Sequence, residues 1–171
     1  MFRIERPKGI KRDDPHVFLA NFRKVRIGDD VAAFAAECGQ PFAARLPLRD
    51  AVAWLRDAQR RLRKAWKSGD AAPLWIYPGY AGERERFRFP IYFRFPKRRD
   101  VVASPGDLMD YVQLVATRDV IDGRAKVCAK KNCRHPYFVA ERGDAKFCSH
   151  ACASEVSVKR FRKKKKRRKK P

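Results

Sequence analysis

Residues 127–152 read VCAKKNCRHPYFVAERGDAKFCSHAC and contain four of the chain's five cysteines. Cys128 and Cys133 are separated by four residues, Cys148 and Cys152 by three, and fourteen residues lie between the pairs. Two close pairs a hairpin's length apart can grip a tetrahedral ion from two sides, and four thiolates suit Zn2+, which accepts that geometry and undergoes no redox chemistry. The spacing therefore predicts one structural zinc ion held by Cys128, Cys133, Cys148 and Cys152. A closed four-thiolate site leaves no position for water or substrate, so the reading is non-catalytic. His135 and His150 lie close enough in sequence to replace one cysteine, and that alternative stays open.

Between the pairs, 137–140 and 145–147 read as two short strands joined by the turn residues Arg142, Gly143 and Asp144, which predicts a hairpin that returns the chain to the metal. From Ala151 onward the sequence favours a helix with Cys148 and Cys152 on one face. The expected unit is a treble-clef or ribbon-like zinc finger. The chain opens MFRIERPKGIKRDD, with no apolar leader toward an oxidising compartment, so the cysteines are expected reduced and the protein cytoplasmic, associated with the nucleoid. Cys38, in the apolar run VAAFAAEC, reads as a small buried side chain.

The 171 residues carry 42 Lys and Arg against 19 Asp and Glu, a net charge of +23. That excess calls for a polyanionic partner, nucleic acid ahead of an acidic membrane surface. No run approaches the roughly 20 apolar residues of a membrane span. Residues 159–170, KRFRKKKKRRKK, hold eleven of the charges with Phe161 the sole interruption, and the remainder still carries +12. The candidate nucleic-acid contacts are Lys159, Arg160, Arg162, Lys163, Lys164, Lys165, Lys166, Arg167 and Arg168. Arg160 and Arg162, nearest the anchored end, are best placed to reach a groove. The outer tail is expected to be disordered until phosphates neutralise it.

Working outward, Phe2 and Ile4 read as a short edge strand, and His16 as a surface or half-buried side chain. Asp29 or Asp30 caps a helix that Gly39 and Pro41 end. A longer helix spans about 47–67, with Leu48, Val52, Leu55, Leu62 and Trp66 on its core face. Beside them Arg49, Arg56, Arg60, Arg63 and Lys67 form a stripe, either a solvated face or a phosphate-contacting one. Phe87, Phe89, Ile91, Phe93 and Phe95 alternate with polar residues and prolines, which predicts strand with a buried aromatic face. Ser104, Pro105 and Asp107 resemble a capping box for a helix reaching about Ile121. The fold class is thus α+β: a mostly helical body with a small antiparallel β segment over 1–123, a four-cysteine zinc finger over 124–158 tied closely to it, and a basic helix or tail over 159–171.

RAKVCAKKNC (124–133), YFVAER (137–142) and KFCSHAC (146–152), with the arginine- and lysine-rich run behind them, resemble the bacterial CGNR-type zinc-finger proteins. DDVAAFAAECGQPF (29–42) and the helix around Trp54 are similar to that family's N-terminal region. Where the family has Cys-Gly-Asn-Arg, this chain has Cys152-Ala153-Ser154-Glu155. The resemblance implies a DNA-binding transcriptional regulator, with DNA ahead of RNA as ligand; an RNA- or ribosome-associated protein, or a protein-binding finger, is the alternative. No His-Asn-His or carboxylate cluster accompanies the finger, so an enzyme is not expected.

Overall fold

The computed structural model describes residues 2–39, 47–75, 92–97, 100–105 and 108–168. Within these the protein is mostly helical. Its organising element is the 21-residue helix α3 (Leu48–Ser68), whose Ala51, Leu55, Leu62, Ala65 and Trp66 are buried. It packs against α1 (Pro15–Asn21), α2 (Gly28–Cys38), the short α4 (Ala72–Trp75) and α5 (Leu108–Ile121). Leu19, Val25, Phe34, Cys38, Leu108, Val112 and Val120 close the core around it. Cys38 is buried as its sequence context predicts, and burial pushes its thiol up to about 12.

The ends of these helices follow from particular side chains. Asp30 reaches back to accept hydrogen bonds from the backbone N–H of Arg26 and Ile27, at 2.7 and 3.2 Å, which satisfies donors the first turn of α2 leaves open. Those bonds, the Arg26 one foremost, hold its carboxyl below the usual range against the burial that raises it, with help from Arg23. Gly39 ends α2 at φ +104, and a Cβ there would sit 2.5 Å from the carbonyl oxygen of Gly9, so both conformation and space demand glycine.

The arginine stripe of α3 is neither a solvated face nor a phosphate surface along its whole length. Arg56 donates to the carbonyls of Val25 and Arg26, and Arg63 to those of Ala20 and Phe22. Between them the buried amide of Gln59 donates to Leu19, Phe22 and Arg23. These side chains satisfy the carbonyls exposed where α1 ends and the chain turns toward α2. Arg49 and Arg60 remain at the surface, beside Asp50 and Asp57 respectively.

A three-stranded sheet has the order β1 (Phe2–Ile4), β3 (Asp100–Ser104), β2 (Tyr92–Lys97), with β1 parallel and β2 antiparallel to the central β3. Phe2–Ile4 is an edge strand, as its alternation predicts. The expected capping role of Ser104 is corrected: it ends β3 in register with Tyr92, and α5 runs from Leu108. Cross-strand pairing after the β-branched Val101 and Val102 prevails over the local capping signal. Of the aromatic row, Phe87, Phe89 and Ile91 lie outside the described residues.

His16 is a second correction. It is 2% exposed, and its Nε2 lies 3.0 Å from the carboxylate of Asp119 on α5, itself 1% exposed. The ring stands 5.7 Å from that of Trp66. Asp119 also faces the guanidiniums of Arg118 and Arg124. Burial pushes its carboxyl up, but the His16 hydrogen bond and the positive charge of His16, Arg118 and Arg124 outweigh it and leave the pKa lowered.

Candidate metal centre

The first cysteine pair sits on a hairpin. β4 (Ala125–Val127) pairs antiparallel with β5 (Tyr137–Val139), Ala125 opposite Val139 and Val127 opposite Tyr137. The ladder is extended at both ends, by Cys128 N–H donating to Pro136 at 2.7 Å and Ala140 N–H to Arg124 at 2.8 Å. The chain then loops from Cys128 to Cys133, with Cys133 N–H donating to the Lys130 carbonyl. This corrects the expected hairpin: 137–139 is a strand, but it pairs backward with 125–127, and 145–147 is not a strand. Strand propensity marked the segment but carried no information about its partner. Residues 145–147 instead pass beside the cysteine loop, where Ala129 N–H donates to the Lys146 carbonyl at 2.8 Å.

The second pair sits at the root of α6 (His150–Arg168). Ser149 Oγ accepts from the Cys152 N–H at 3.3 Å, an N-terminal cap that fixes the turn between Cys148 and Cys152. The basic run to Arg168 belongs to this one continuous helix, rather than forming a tail without structure of its own.

The four sulfurs converge. Cys133 and Cys148 are 3.5 Å apart, Cys148 and Cys152 3.6 Å, Cys133 and Cys152 3.9 Å, and all four lie within 4.8 Å of one another. A disulfide needs about 2.05 Å, and all five cysteines are free. The sulfurs set one another's protonation. Cys148 is pushed up to about 12, first by burial and then by the three neighbouring thiols, and burial likewise raises Cys133. Cys128 is drawn down: burial opposes its thiolate, but backbone N–H groups of Cys148 and Lys130 favour it. Bringing four such groups together is unfavourable for ionisation unless a cation stabilises every thiolate, so the donor set fits a thiolate-accepting metal ion. His135 and His150 are both exposed and stand outside this cluster.

The hairpin is joined to the helical body by directional bonds. Asn21, the last residue of α1, donates through its amide to the Tyr137 carbonyl at 2.7 Å and accepts from the Tyr137 N–H at 3.1 Å, imitating one more strand on the free edge of β5. Trp66 Nε1, on α3, donates to the Phe138 carbonyl at 3.3 Å. Ala125 and Tyr137 belong to the buried core.

A further contact was not foreseen from sequence. Lys130, in the loop between Cys128 and Cys133, pairs with Glu155 on α6, which also accepts from Lys159 at 2.7 Å. The Lys130 hydrogen bond first, then that of Lys159, draws Glu155 down to about 2. The four-residue step from Glu155 to Lys159 was the available signal; nothing in sequence pointed to Lys130. Of the predicted nucleic-acid contacts, Lys159, Arg160, Arg162, Lys163 and Lys165 are exposed on α6. Lys164, Lys166, Arg167 and Arg168 lie on the same helix.

No described helix is long and apolar enough to cross a membrane. No protein-family model matches the chain, and neither curated proteins nor solved structures provide a match.

Proposed function

We propose that this is a non-enzymatic, zinc-stabilised nucleic-acid-binding protein, a DNA-binding transcriptional regulator of the bacterial cytoplasm associated with the nucleoid. The observation that carries the reading is the continuity of α6 from Cys152 to Arg168: the helix that supplies a metal ligand is also the helix that bears the basic run. Zinc is favoured because the edge of a tetrahedron with metal–sulfur distances of about 2.3 Å is about 3.8 Å, and three sulfur separations are 3.5, 3.6 and 3.9 Å. A cysteine loop on a hairpin, followed by a helix with the second pair at its root, supports the treble-clef reading of this unit.

Metal binding in such a unit fixes the direction in which α6 leaves the body, and the cations along it neutralise phosphates. Arg160 and Arg162 stand nearest the fixed end and are assigned the groove contacts. The resemblance of 124–133, 137–142 and 146–152 to CGNR-type fingers supports DNA over RNA, while Ala153, Ser154 and Glu155 replace the family's Gly, Asn and Arg. Contacts made by that Asn and Arg therefore do not transfer, and Glu155 instead pairs with Lys130 and Lys159.

The test is a titration of duplex DNA, with structured RNA as competitor, at several salt concentrations before and after chelation, alongside zinc quantification. One zinc per chain is expected. Contact with about six phosphates predicts a log–log salt slope near −5, with affinity weakened by chelation. A slope near zero would sink the reading, and a strong preference for the RNA competitor would move it to an RNA-associated protein.

A further inference from the structure

Phe161 and Val158 are the large apolar residues exposed on α6, at 68% and 47%. They lie three residues apart, so they share a face. Phe161 lies nine positions after Cys152, and at about 100° per residue the ring projects from roughly the opposite side of the helix. Cys152 is buried at the metal centre, whereas every residue from Ser157 to Lys163 is exposed. The ring is thus not the outermost member of the core.

Charge does not account for it either. Phe161 is the sole interruption in a run of eleven cations, it is a weaker helix former than the Lys and Arg on either side, and a phenyl ring can neither neutralise a phosphate nor hydrogen-bond to one. In cationic surroundings a ring serves by stacking on a flat face whose margins carry negative charge. Nucleic-acid bases are such faces, and aromatic platforms flanked by cations bind them with little regard to sequence. Within an uninterrupted duplex each face is covered by the neighbouring base pair; a base in a single strand, bulge or loop can be splayed out and leaves its face free. One turn further along, Lys165 follows Phe161 on the same face, where it can meet the adjacent phosphate.

An anionic membrane would attract the same charge. An interfacial helix, however, buries a broad apolar face, and beyond Ser157 this helix offers only Val158 and Phe161 among SVKRFRKKKKRR.

We propose that Phe161 is a stacking contact for an unpaired base, so that α6 selects nucleic acid with single-stranded, bulged or looped bases over uninterrupted duplex. This rests on the nucleic-acid reading above and narrows its ligand: the groove contacts assigned to Arg160 and Arg162 then fall beside an unpaired base, and uninterrupted duplex becomes the weaker ligand.

The test uses the full zinc-loaded chain and three fluorescent DNA probes of equal phosphate number: an uninterrupted duplex, a duplex with a two-base bulge, and a single strand. Wild type is expected to bind the bulged and single-stranded probes about tenfold or more tightly than the duplex. Phe161→Ala should lose about 5- to 150-fold on those two probes and little on the duplex, with the salt slope unchanged, because one aromatic–base stack and no charge is removed. Phe161→Trp should restore the preference. Zinc content and helicity, measured for both variants, are expected to match wild type because the ring is exposed.

Equal binding of wild type to all three probes overturns the stacking contact but leaves the nucleic-acid reading standing. Equal loss by Phe161→Ala on every probe also overturns it. If wild type binds none of the probes, the DNA reading fails and the inference falls with it. Tighter binding to phosphatidylserine vesicles than to any probe, weakened by Phe161→Ala, overturns it in favour of a membrane surface.

Discussion

α3 and α6 are both long, strongly basic helices, of 21 and 19 residues, yet they use their cations in opposite ways. In α3 the apolar face fills the core, while Arg56 and Arg63 are turned onto carbonyls of the chain's own backbone. In α6 the buried anchor is Cys152 at the root, and Arg160, Arg162 and Lys163 stand in solvent. One helix uses guanidinium groups to complete the fold; the other leaves its cations available to a partner. A basic stripe therefore says little about a ligand until the acceptors within the fold have been taken into account.

The contrast is most open to attack at the metal centre. Chelation, or Cys152→Ser, is expected to remove metal binding, a term of about 10–16 kcal/mol in small zinc units, and to melt the root of α6 while α3 persists. Stoichiometry by metal analysis and amide exchange resolved to each helix checks this. If both helices exchanged together, α6 would be as integral to the core as α3, and the contrast would collapse.

The next largest effect belongs to the body. Asp119→Ala leaves the buried Nε2 of His16 without its hydrogen-bond partner and should cost about 1–3 kcal/mol, read as a lowered Tm, with metal stoichiometry unchanged. The sign with pH follows from the lowered folded-state pKa of Asp119. Its stabilisation is complete above the ordinary carboxylate value and is lost as pH falls through the lower folded value. Wild type should accordingly lose stability more steeply than Asp119→Asn on the acid side.

A matched pair of arginines sharpens the comparison directly. Arg63→Ala should cost about 1–2 kcal/mol of stability by stranding the carbonyls of Ala20 and Phe22, with the salt slope of binding unchanged. Arg162→Ala should leave Tm within about 0.5 kcal/mol equivalent of wild type and reduce the slope by about 1. Should the two variants exchange these signatures, the assignment of the two helices would be reversed. Smallest of all is Glu155→Gln, expected to leave metal stoichiometry intact and to raise amide exchange at Lys159 and Arg160 by removing the carboxylate shared with Lys130.

What the sequence made legible were features decided within one turn or one repeat. The cysteine spacing marked the four sulfurs that converge, the apolar periodicity placed α3 within one residue at each end, and Gly39 marked the stop of α2. What it concealed were partnerships across the chain. His16 meets Asp119 103 positions away, and a lone histidine carries no sign of that distant carboxylate. Residues 137–139 have strand propensity, but propensity does not choose between pairing with 125–127 and with 145–147. The arginines of α3 showed their spacing and not their acceptors, because α1's terminal carbonyls become neighbours only after the helices pack.

Trp66 lies on α3, yet its indole N–H bonds to the Phe138 carbonyl and its ring stands edge-on, 6.5 Å from that of Tyr137. The seam between the helical body and the cysteine hairpin thus contains its own chromophore. In a variant with Trp54 and Trp75 replaced by phenylalanine, the emission of this single indole becomes an optical gauge of docking: lifting the hairpin exchanges a carbonyl and a phenol for water and shifts the spectrum to the red, in real time and without a label.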